Sequence, residues 1–416
     1  MSSLPKWWPY KSSLQEAGRR LVALLGGIIV GANAVTHYYK PLAEFESELA
    51  KGKSELLLKT AECAGGHCYH SGDNGSERVH EKNIDSDNND YHISNSTSRS
   101  ASPADSVFKR AFKYYKKRSP APDLSNVIDF RAVSDPRSPA AALLSHGQIE
   151  RLSVKLANEH VPCEPFKRLG LKLPSEWNVF AIANRQGLYI LSDVVERSKQ
   201  LEWISKCLHI YPEAPNKTNV HLHNPNASEI FKNHGKNLRW TTMGYHYDWT
   251  TKKYPETGVV PFYYRVLEIG ITGDQLPSEI KLLAEIISNI LGLGEMEADA
   301  VIINYFPPKS TLSAHVDRSE HDLSKPLISL SLGQSAVYLS GGRSVDDSLD
   351  AILLHSGDVL VMHAQQRLVY HAVPRIIKTT DYRLELSNIN TDQPKELIDY
   401  VNTNRISITI RQVDRH

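Results

Sequence analysis

The segment Asn304-Tyr-Phe-Pro-Pro-Lys-Ser-Thr-Leu-Ser-Ala-His-Val-Asp317 closes on a His-x-Asp pair, His315 and Asp317. On an extended chain residues i and i+2 share a face, so both side chains point one way and Val316 points the other. A second imidazole, His371, comes far downstream in the apolar run Arg367-Leu-Val-Tyr-His-Ala-Val-Pro374. Two imidazoles and one carboxylate form a ligand set that holds Fe(II) on one side and leaves the other side open to a co-substrate and O2. One local segment cannot close such a facial arrangement, so the third ligand has to come from a distant strand. Taken alone, the pair reads first as a surface histidine beside a solvated aspartate; the company of His371 and of the apolar strands around it shifts that reading.

The chain nears its end in Arg405-Ile-Ser-Ile-Thr-Ile-Arg411. Ile406, Ile408 and Ile410 fall on one face; Arg405, Ser407, Thr409 and Arg411 fall on the other. This is the period of a half-buried strand. Six residues of strand put the two arginine Cα atoms about 20 Å apart, and side chains leaning in by roughly 6–7 Å leave a gap suited to a five-carbon diacid or to a diacid plus a metal carboxylate. Guanidinium binds carboxylates bidentately and stays charged, so the strand reads as a clamp for 2-oxoglutarate. An edge strand with its arginines in water is the alternative.

The elements that must position these groups are short. Leu327–Leu332, Ala336–Leu339, Ala351–Leu354, Val359–Met362 and Tyr382–Leu386 read as strands, with Gly341-Gly342 and Ser356-Gly357-Asp358 as turns between them. Many short strands between turn signals predict a mainly β sandwich or jelly roll with flanking helices. One such helix is expected over Ile280–Leu291, where Leu282, Leu283, Ile286, Ile287 and Ile290 recur at helical spacing before Gly292 and Gly294. Glu279, Lys281 and Glu285 give it a wet face.

The order Asn304…His315-x-Asp317…His371…Arg405…Arg411 resembles the AlkB family of Fe(II)/2-oxoglutarate dioxygenases, most closely its first animal homologue subfamily. Leu238-Arg-Trp240, Gly244-Tyr245-His-Tyr247-Asp-Trp249, Ser329-Leu-Ser-Leu-Gly333-Gln-Ser335 and His371-Ala-Val-Pro374-Arg375 carry the resemblance further, and it runs from near Ser106 to the C-terminus. It implies a double-stranded β-helix with iron held by His315, Asp317 and His371. Arg405 matches the residue that pairs with the distal carboxylate of 2-oxoglutarate, Arg411 the one near the proximal carboxylate, and Asn304 a hydrogen-bonding partner of the co-substrate. Two positions depart from the pattern: Phe306 stands where the family has tyrosine, and Ser407 where it has asparagine. The missing hydroxyl at Phe306 removes a hydrogen bond of roughly 1 kcal/mol. The implied reaction is oxidation of a methyl group on a nucleic acid base, in tRNA first (1-methyladenine or a methylcytosine) and DNA second. A binding module that kept the fold, or a protein hydroxylase, would be the competing functions.

Residues from Lys232 to Lys253 mix Lys232, Lys236, Arg239, Lys252 and Lys253 with Trp240, Tyr245, Tyr247 and Trp249. Cations meet phosphates, and aromatic faces stack on unpaired bases. Trp240, Tyr245 and Tyr247 are therefore candidate substrate contacts. A second basic–aromatic run, Phe108 to Arg118, predicts an amphipathic helix with Phe108, Phe112 and Tyr115 on one side, suited either to core docking or to nucleic acid.

Composition limits the remaining possibilities. The formal net charge of the 416 residues is +1, so no global basic field steers a polyanion and any footprint is local. The four cysteines make no secreted-type disulfide framework. Cys63 and Cys68 near His67 and His70 could hold a small metal site, without a standard zinc spacing. Residues 1–40 set Lys6, Lys11, Arg19, Arg20 and Lys40 against one acid, Glu16. That fits a mitochondrial targeting segment; a short membrane anchor, for which Trp7 and Trp8 would suit an interface, is the competing reading, and nucleus or cytoplasm are the other destinations. Residues 41–105 read as a disordered linker, poor in apolar side chains over its second half. Residues 106–230 form an N-terminal part of the family-like region and 231–416 the dioxygenase domain, expected to act as a monomer.

Overall fold

A computed structural model describes residues 105–154, 162–254, 276–382 and 395–413. The targeting segment, the linker up to residue 104 and the Cys63/Cys68 group lie outside the described residues. So do residues 383–386 of the strand expected from Tyr382, and Tyr382 itself stands in a helical position. Its hydroxyl donates to the Gly333 carbonyl at 3.0 Å, an anchor for a residue leaving the sheet rather than joining it.

In chain order the strands are β1 (Ile128–Asp129), β2 (Ile149–Leu152), β3 (Asn178–Ile182), β4 (Leu188–Ser192), β5 (Lys217–Thr218), β6 (Trp240–Gly244), β7 (Ala300–Phe306), β8 (Leu312–His315), β9 (Leu327–Gly333), β10 (Ser335–Ser340), β11 (Asp350–Leu354), β12 (Val359–Met362), β13 (His371–Ile377) and β14 (Arg405–Arg411). A nine-stranded sheet runs β2-β3-β4-β12-β9-β14-β7-β6-β5, and a five-stranded sheet runs β1-β11-β10-β13-β8. Phe180, Ile190, Phe306, Leu327, Leu360 and Met362 of the large sheet interdigitate with Ala336, Tyr338, Ile352, Leu354 and Val373 of the small one. This is the jelly roll that the short strands predict.

The opposite face of the large sheet is dry as well. Ile303, Ile328, Leu330, Ile406, Ile408 and Ile410 pack with helix residues of α2 (Arg197–His209) and α3 (Ser278–Ile290). In α3, Ile280, Leu283, Ala284, Ile287 and Ile290 are buried and recur at helical spacing, so one stripe faces the sheet. Each such aliphatic side chain contributes about 1.5–3 kcal/mol by leaving water. Helix α1 (Val107–Lys116) lies on the small sheet, with Phe108 and Tyr115 buried against Val337, Leu339 and Ala372. Its aromatics dock on the core, which leaves Lys109, Lys113 and Lys116 outward.

Strand β14 differs from its expectation in one respect. Period-two alternation predicts one wet face, yet all seven residues from Arg405 to Arg411 are buried. The strand is central, between β9 and β7, and its polar face looks into the space between the sheets. That polar, buried face is the floor of the site.

Candidate active site

Strands β13 and β8 pair in a register that sets His371 opposite His315. Their ring centroids are 4.2 Å apart. Asp317, two residues on, brings Oδ2 to 3.6 Å from His371 Nε2 and Oδ1 to 3.9 Å from His315 Nε2. One ligand atom from each of the three lies within 4.8 Å of the others, close enough to converge on a single ion. Among the described residues no other group of three His, Cys, Asp or Glu side chains does so. Both imidazoles are held the same way. His315 Nδ1 lies 2.9 Å from the Ser313 carbonyl and His371 Nδ1 lies 3.3 Å from the Val369 carbonyl. A carbonyl can only accept, so Nδ1 carries the proton and Nε2 presents its lone pair to the metal. Burial, then the neighbouring His315, pushes His371 down to about 3, so it is neutral and ligand-ready at ordinary pH.

Asp317 is fixed by a buried ionic network. Arg411 Nη2 donates to its Oδ2 at 3.0 Å, while Arg411 Nη1 donates to the Tyr254 hydroxyl at 2.9 Å. Glu320 sits between two guanidinium groups, 3.2 Å from Arg411 Nε and 3.0 Å from Arg367 Nη2. These approaches pair charge, although the N–H bonds do not aim at the oxygens. Arg367 also donates to the Asp317 carbonyl at 3.2 Å, tying the ligand loop to the turn before β13. Burial alone would raise the Asp317 carboxyl. Arg411 first, then the two imidazoles and Arg367, reverse this and hold it well below the usual carboxylate range. Arg411 is thus committed to the metal carboxylate, so of the two fillings that the spacing allows the structure fits a diacid plus a metal carboxylate: one arginine orients Asp317 and one faces the cavity. Glu320, Arg367 and Tyr254 had no sequence role because ordinary charged and aromatic residues reveal their burial only in the fold.

Arg405 occupies the other end of β14. It is 2% exposed. Nη2 donates to Ser331 Oγ at 2.9 Å, and the guanidinium lies 5.2 Å from the centre of the Phe306 ring. Nε and Nη1 have no hydrogen-bond partner among the described residues. Burial lowers its pKa to about 10. A buried cation with unused donors fits a site built for an incoming carboxylate. Between Arg405 and the triad lies a cavity of about 510 Å³, counting its open mouth, lined by Asn304, Ser407, Thr409, Ser329, Tyr338 and Leu360 among others. Ser407 Oγ lies 2.9 Å from Ser329 Oγ, so it caps the cavity wall from β14. The donor set therefore fits both a ferrous ion and a dicarboxylate keto acid chelated to it.

Of the expected substrate contacts, Trp240 is placed best. It pairs across β6 and β7 with Asn304, and directly opposed residues share a face. Trp240 meets Trp249 in a tilted pair at 5.2 Å, Trp249 meets Tyr247 at 4.8 Å, and Tyr247 meets Tyr254 at 5.3 Å. The row runs from Arg411's partner out to Trp249, 42% exposed. Tyr247 belongs to this row. Tyr245 packs beside Tyr247 on the same small cluster of Tyr254, Ala300 and Val413, and none of Trp240, Tyr245 and Tyr247 lines the cavity itself. Lys236, Arg239, Lys252 and Lys253, which flank these aromatics in sequence, are exposed.

Residues 187–411 match the model of the 2OG-Fe(II) oxygenase superfamily. The chain is 32% identical over 279 residues to a mouse protein, "Nucleic acid dioxygenase ALKBH1", covering 62% of this chain and 67% of that one. It is 32% identical over 209 residues to "tRNA demethylase abh1" of Schizosaccharomyces pombe, covering 44% and 65%. It is 26% identical over 365 residues to "DNA N(6)-methyladenine demethylase ALKBH1A" of Arabidopsis thaliana, covering 74% and 96%. The chain thus spans about two thirds of the length of the mouse relative. Since the matched region exceeds half of the chain and takes in every residue of the triad, this protein belongs to the 2OG-Fe(II) oxygenase superfamily, on its AlkB branch, and uses Fe(II) and 2-oxoglutarate.

Proposed function

We propose that this enzyme oxidises methyl groups on nucleic acid bases, with tRNA as the first substrate and DNA as the second. The observation that carries the reading is the aromatic row Trp240–Trp249–Tyr247–Tyr254, tied to the site at one end by the pairing of Trp240 with the cavity residue Asn304 and at the other by the hydrogen bond between Tyr254 and Arg411. A base in a duplex cannot reach a buried metal, so the enzyme has to hold it unstacked, and aromatic faces repay part of that cost at about 1–3 kcal/mol per base. Relatives named for tRNA and DNA demethylation support the same class.

Bound Fe(II) with O2 and 2-oxoglutarate supplies the oxidation, yielding succinate, carbon dioxide and a hydroxylated methyl carbon that leaves as formaldehyde when it was bonded to nitrogen. The protein contributes placement. His315, Asp317 and His371 offer ligand atoms on one side only, with their tautomers and charge set in advance by Ser313, Val369 and Arg411. Arg405 fixes the co-substrate's far end, and the apolar walls of Leu312, Leu354 and Leu360 keep water from the reacting carbon.

The test is mass spectrometry of tRNA nucleosides after incubation with the full chain, iron and 2-oxoglutarate. Methylated adenine or cytosine should fall, or give an oxidised product, with matching succinate. His315→Ala should abolish turnover and leave tRNA affinity within about twofold. Loss of binding in step with turnover would instead favour a binding module, and no change in any tRNA or DNA base would sink the reading. Import into mitochondria through residues 1–40 rests on composition alone, and a fluorescent fusion of that segment tests it.

A further inference from the structure

We propose that Tyr338 supplies the hydroxyl that bonds the distal carboxylate of 2-oxoglutarate, replacing the one absent at Phe306. The inference rests on the cavity being the co-substrate pocket, and it concerns one residue that neither the family pattern nor the spacing of motifs singles out.

Phe306 lies on the same inward face of β7 as Asn304, and its ring sits beneath the Arg405 guanidinium. A phenol there would reach the far end of the pocket; a phenyl ring gives only a cation–π contact. Tyr338 enters the same cavity from the opposite sheet and packs in one cluster with Phe306, Leu354, Leu360 and Val373. Opposite Tyr338 the ladder between β10 and β13 shifts register: Val337 and Leu339 pair with Arg375 and Ala372, so the extra residue lies on β13. The ring is then held by stacking on His371, 5.8 Å between centroids and 25° between planes.

The hydroxyl has little to bond. Among the described residues its only hydrogen-bond partner is the Met362 thioether, 3.3 Å away, a weak acceptor. The residue is 6% exposed. The other hydroxyls of the pocket are engaged with one another: Ser329 Oγ is 2.9 Å from Ser407 Oγ and 3.5 Å from Thr409 Oγ1. One cavity therefore contains two buried sets of donors without adequate acceptors among the described residues, Arg405 Nε and Nη1 and the Tyr338 hydroxyl. Leaving such donors unmatched is costly, and a carboxylate with about four lone-pair directions can serve both. The hydroxyl that the family places on β7 has moved across the sandwich to β10.

The experiment compares 2-oxoglutarate with 2-oxobutyrate, which keeps the keto acid and lacks the distal carboxylate. Each is titrated calorimetrically, without O2, into the full chain loaded with Mn(II). The wild-type protein should prefer 2-oxoglutarate; equal affinities would overturn the pocket assignment itself. Tyr338→Phe should weaken 2-oxoglutarate about 10-fold and leave 2-oxobutyrate within about twofold, the signature of one lost charge-assisted hydrogen bond at the far end. Adding Phe306→Tyr to that variant should restore 2-oxoglutarate binding to within about threefold. Unchanged affinity in Tyr338→Phe, or equal loss for both acids, would overturn the proposal, the latter marking a packing role under His371. If Tyr338→Phe does not fold, Phe306→Tyr alone decides: near-wild-type affinity supports a hydroxyl already present, and a tenfold gain refutes it.

Discussion

Replacing Arg405 with methionine should make the empty protein more stable while removing its response to 2-oxoglutarate. Arg405 is buried, makes one hydrogen bond to Ser331 and leaves two nitrogens unmatched among the described residues. Burial draws its pKa from the ordinary arginine value to about 10. At 1.36 kcal/mol per unit, that fall corresponds to roughly 3 kcal/mol held against the charged form. Methionine keeps much of the side-chain length, forfeits the Ser331 bond and the contact with Phe306, and deletes the stranded charge. A net gain of about 1–3 kcal/mol follows, since removing buried ions for apolar groups is often stabilising. In a domain of this size that raises Tm by about 2–10 °C. The assay is thermal denaturation of both proteins loaded with Mn(II), without O2, with and without 2-oxoglutarate. At 100 times its Kd the ligand should add about 2.7 kcal/mol to the wild-type protein and nothing measurable to the variant. An empty Arg405→Met that melts several degrees below wild type would refute the reasoning, because the cation would then be satisfied in a way the hydrogen bonds do not show. A ligand-induced shift as large as wild type's would refute the assignment of the carboxylate to this end.

Glu320→Gln leaves Arg367 and Arg411 sharing too little negative charge, and should cost about 3–5 kcal/mol, visible as a lower midpoint in urea; adding Arg367→Met should recover part of the loss, whereas additive losses would break the idea of one network. Gly333 has φ +82° and an added Cβ would stand 2.5 Å from the Asn404 carbonyl oxygen, so Gly333→Ala should destabilise by at least about 1 kcal/mol and weaken 2-oxoglutarate by displacing the start of β14; calorimetry and melting together test both halves. The metal-free protein should lose stability as pH falls. Its buried His371 has a folded value near 3 against about 6.5 unfolded, so the stability present above about 6.5 declines from there toward 3. Asp317, also depressed, adds a loss below about 3.9. Melting points flat from pH 7 to pH 4 would contradict the His371 assignment, and no further fall below pH 4 would contradict that of Asp317.

The legible part of the site was the part with periodicity. His315 and Asp317 at i and i+2, and the isoleucine–polar alternation of β14, translate directly into faces of strands. Helix α3 was visible for the same reason, because its apolar stripe repeats. What escaped was pairing across long separations. Nothing in Glu320 announces that it will lie between Arg367 and Arg411, and nothing in Tyr338 announces a pocket rather than a core. The reading of Arg411 shows the same limit: spacing put it on the right face, but only the fold reveals that Asp317, Glu320 and Tyr254 claim its guanidinium first. The basic and aromatic composition after β6 marked a neighbourhood but not its geometry, since Tyr245 and Tyr247 both pack on Tyr254, Ala300 and Val413.

The distribution of buried charge explains why the pocket should select a diacid. At the metal end Arg367 and Arg411 are matched by Glu320 and Asp317, so two cations and two anions cancel before any ligand arrives. At the far end Arg405 has no carboxylate within ion-pair distance among the described residues, and Ser331 is its only hydrogen-bonding neighbour there. A monocarboxylic keto acid could satisfy the metal and would leave this cation stranded. A dicarboxylic one brings a second negative charge to the place where the protein has left one unpaired. Selectivity then comes less from the strength of the new ion pair than from the cost of leaving Arg405 and the Tyr338 hydroxyl unmatched. On this account, enlarging the apolar wall at Leu354 should change the rate of the reaction more than its choice of co-substrate, because the choice is made at the opposite end of β14.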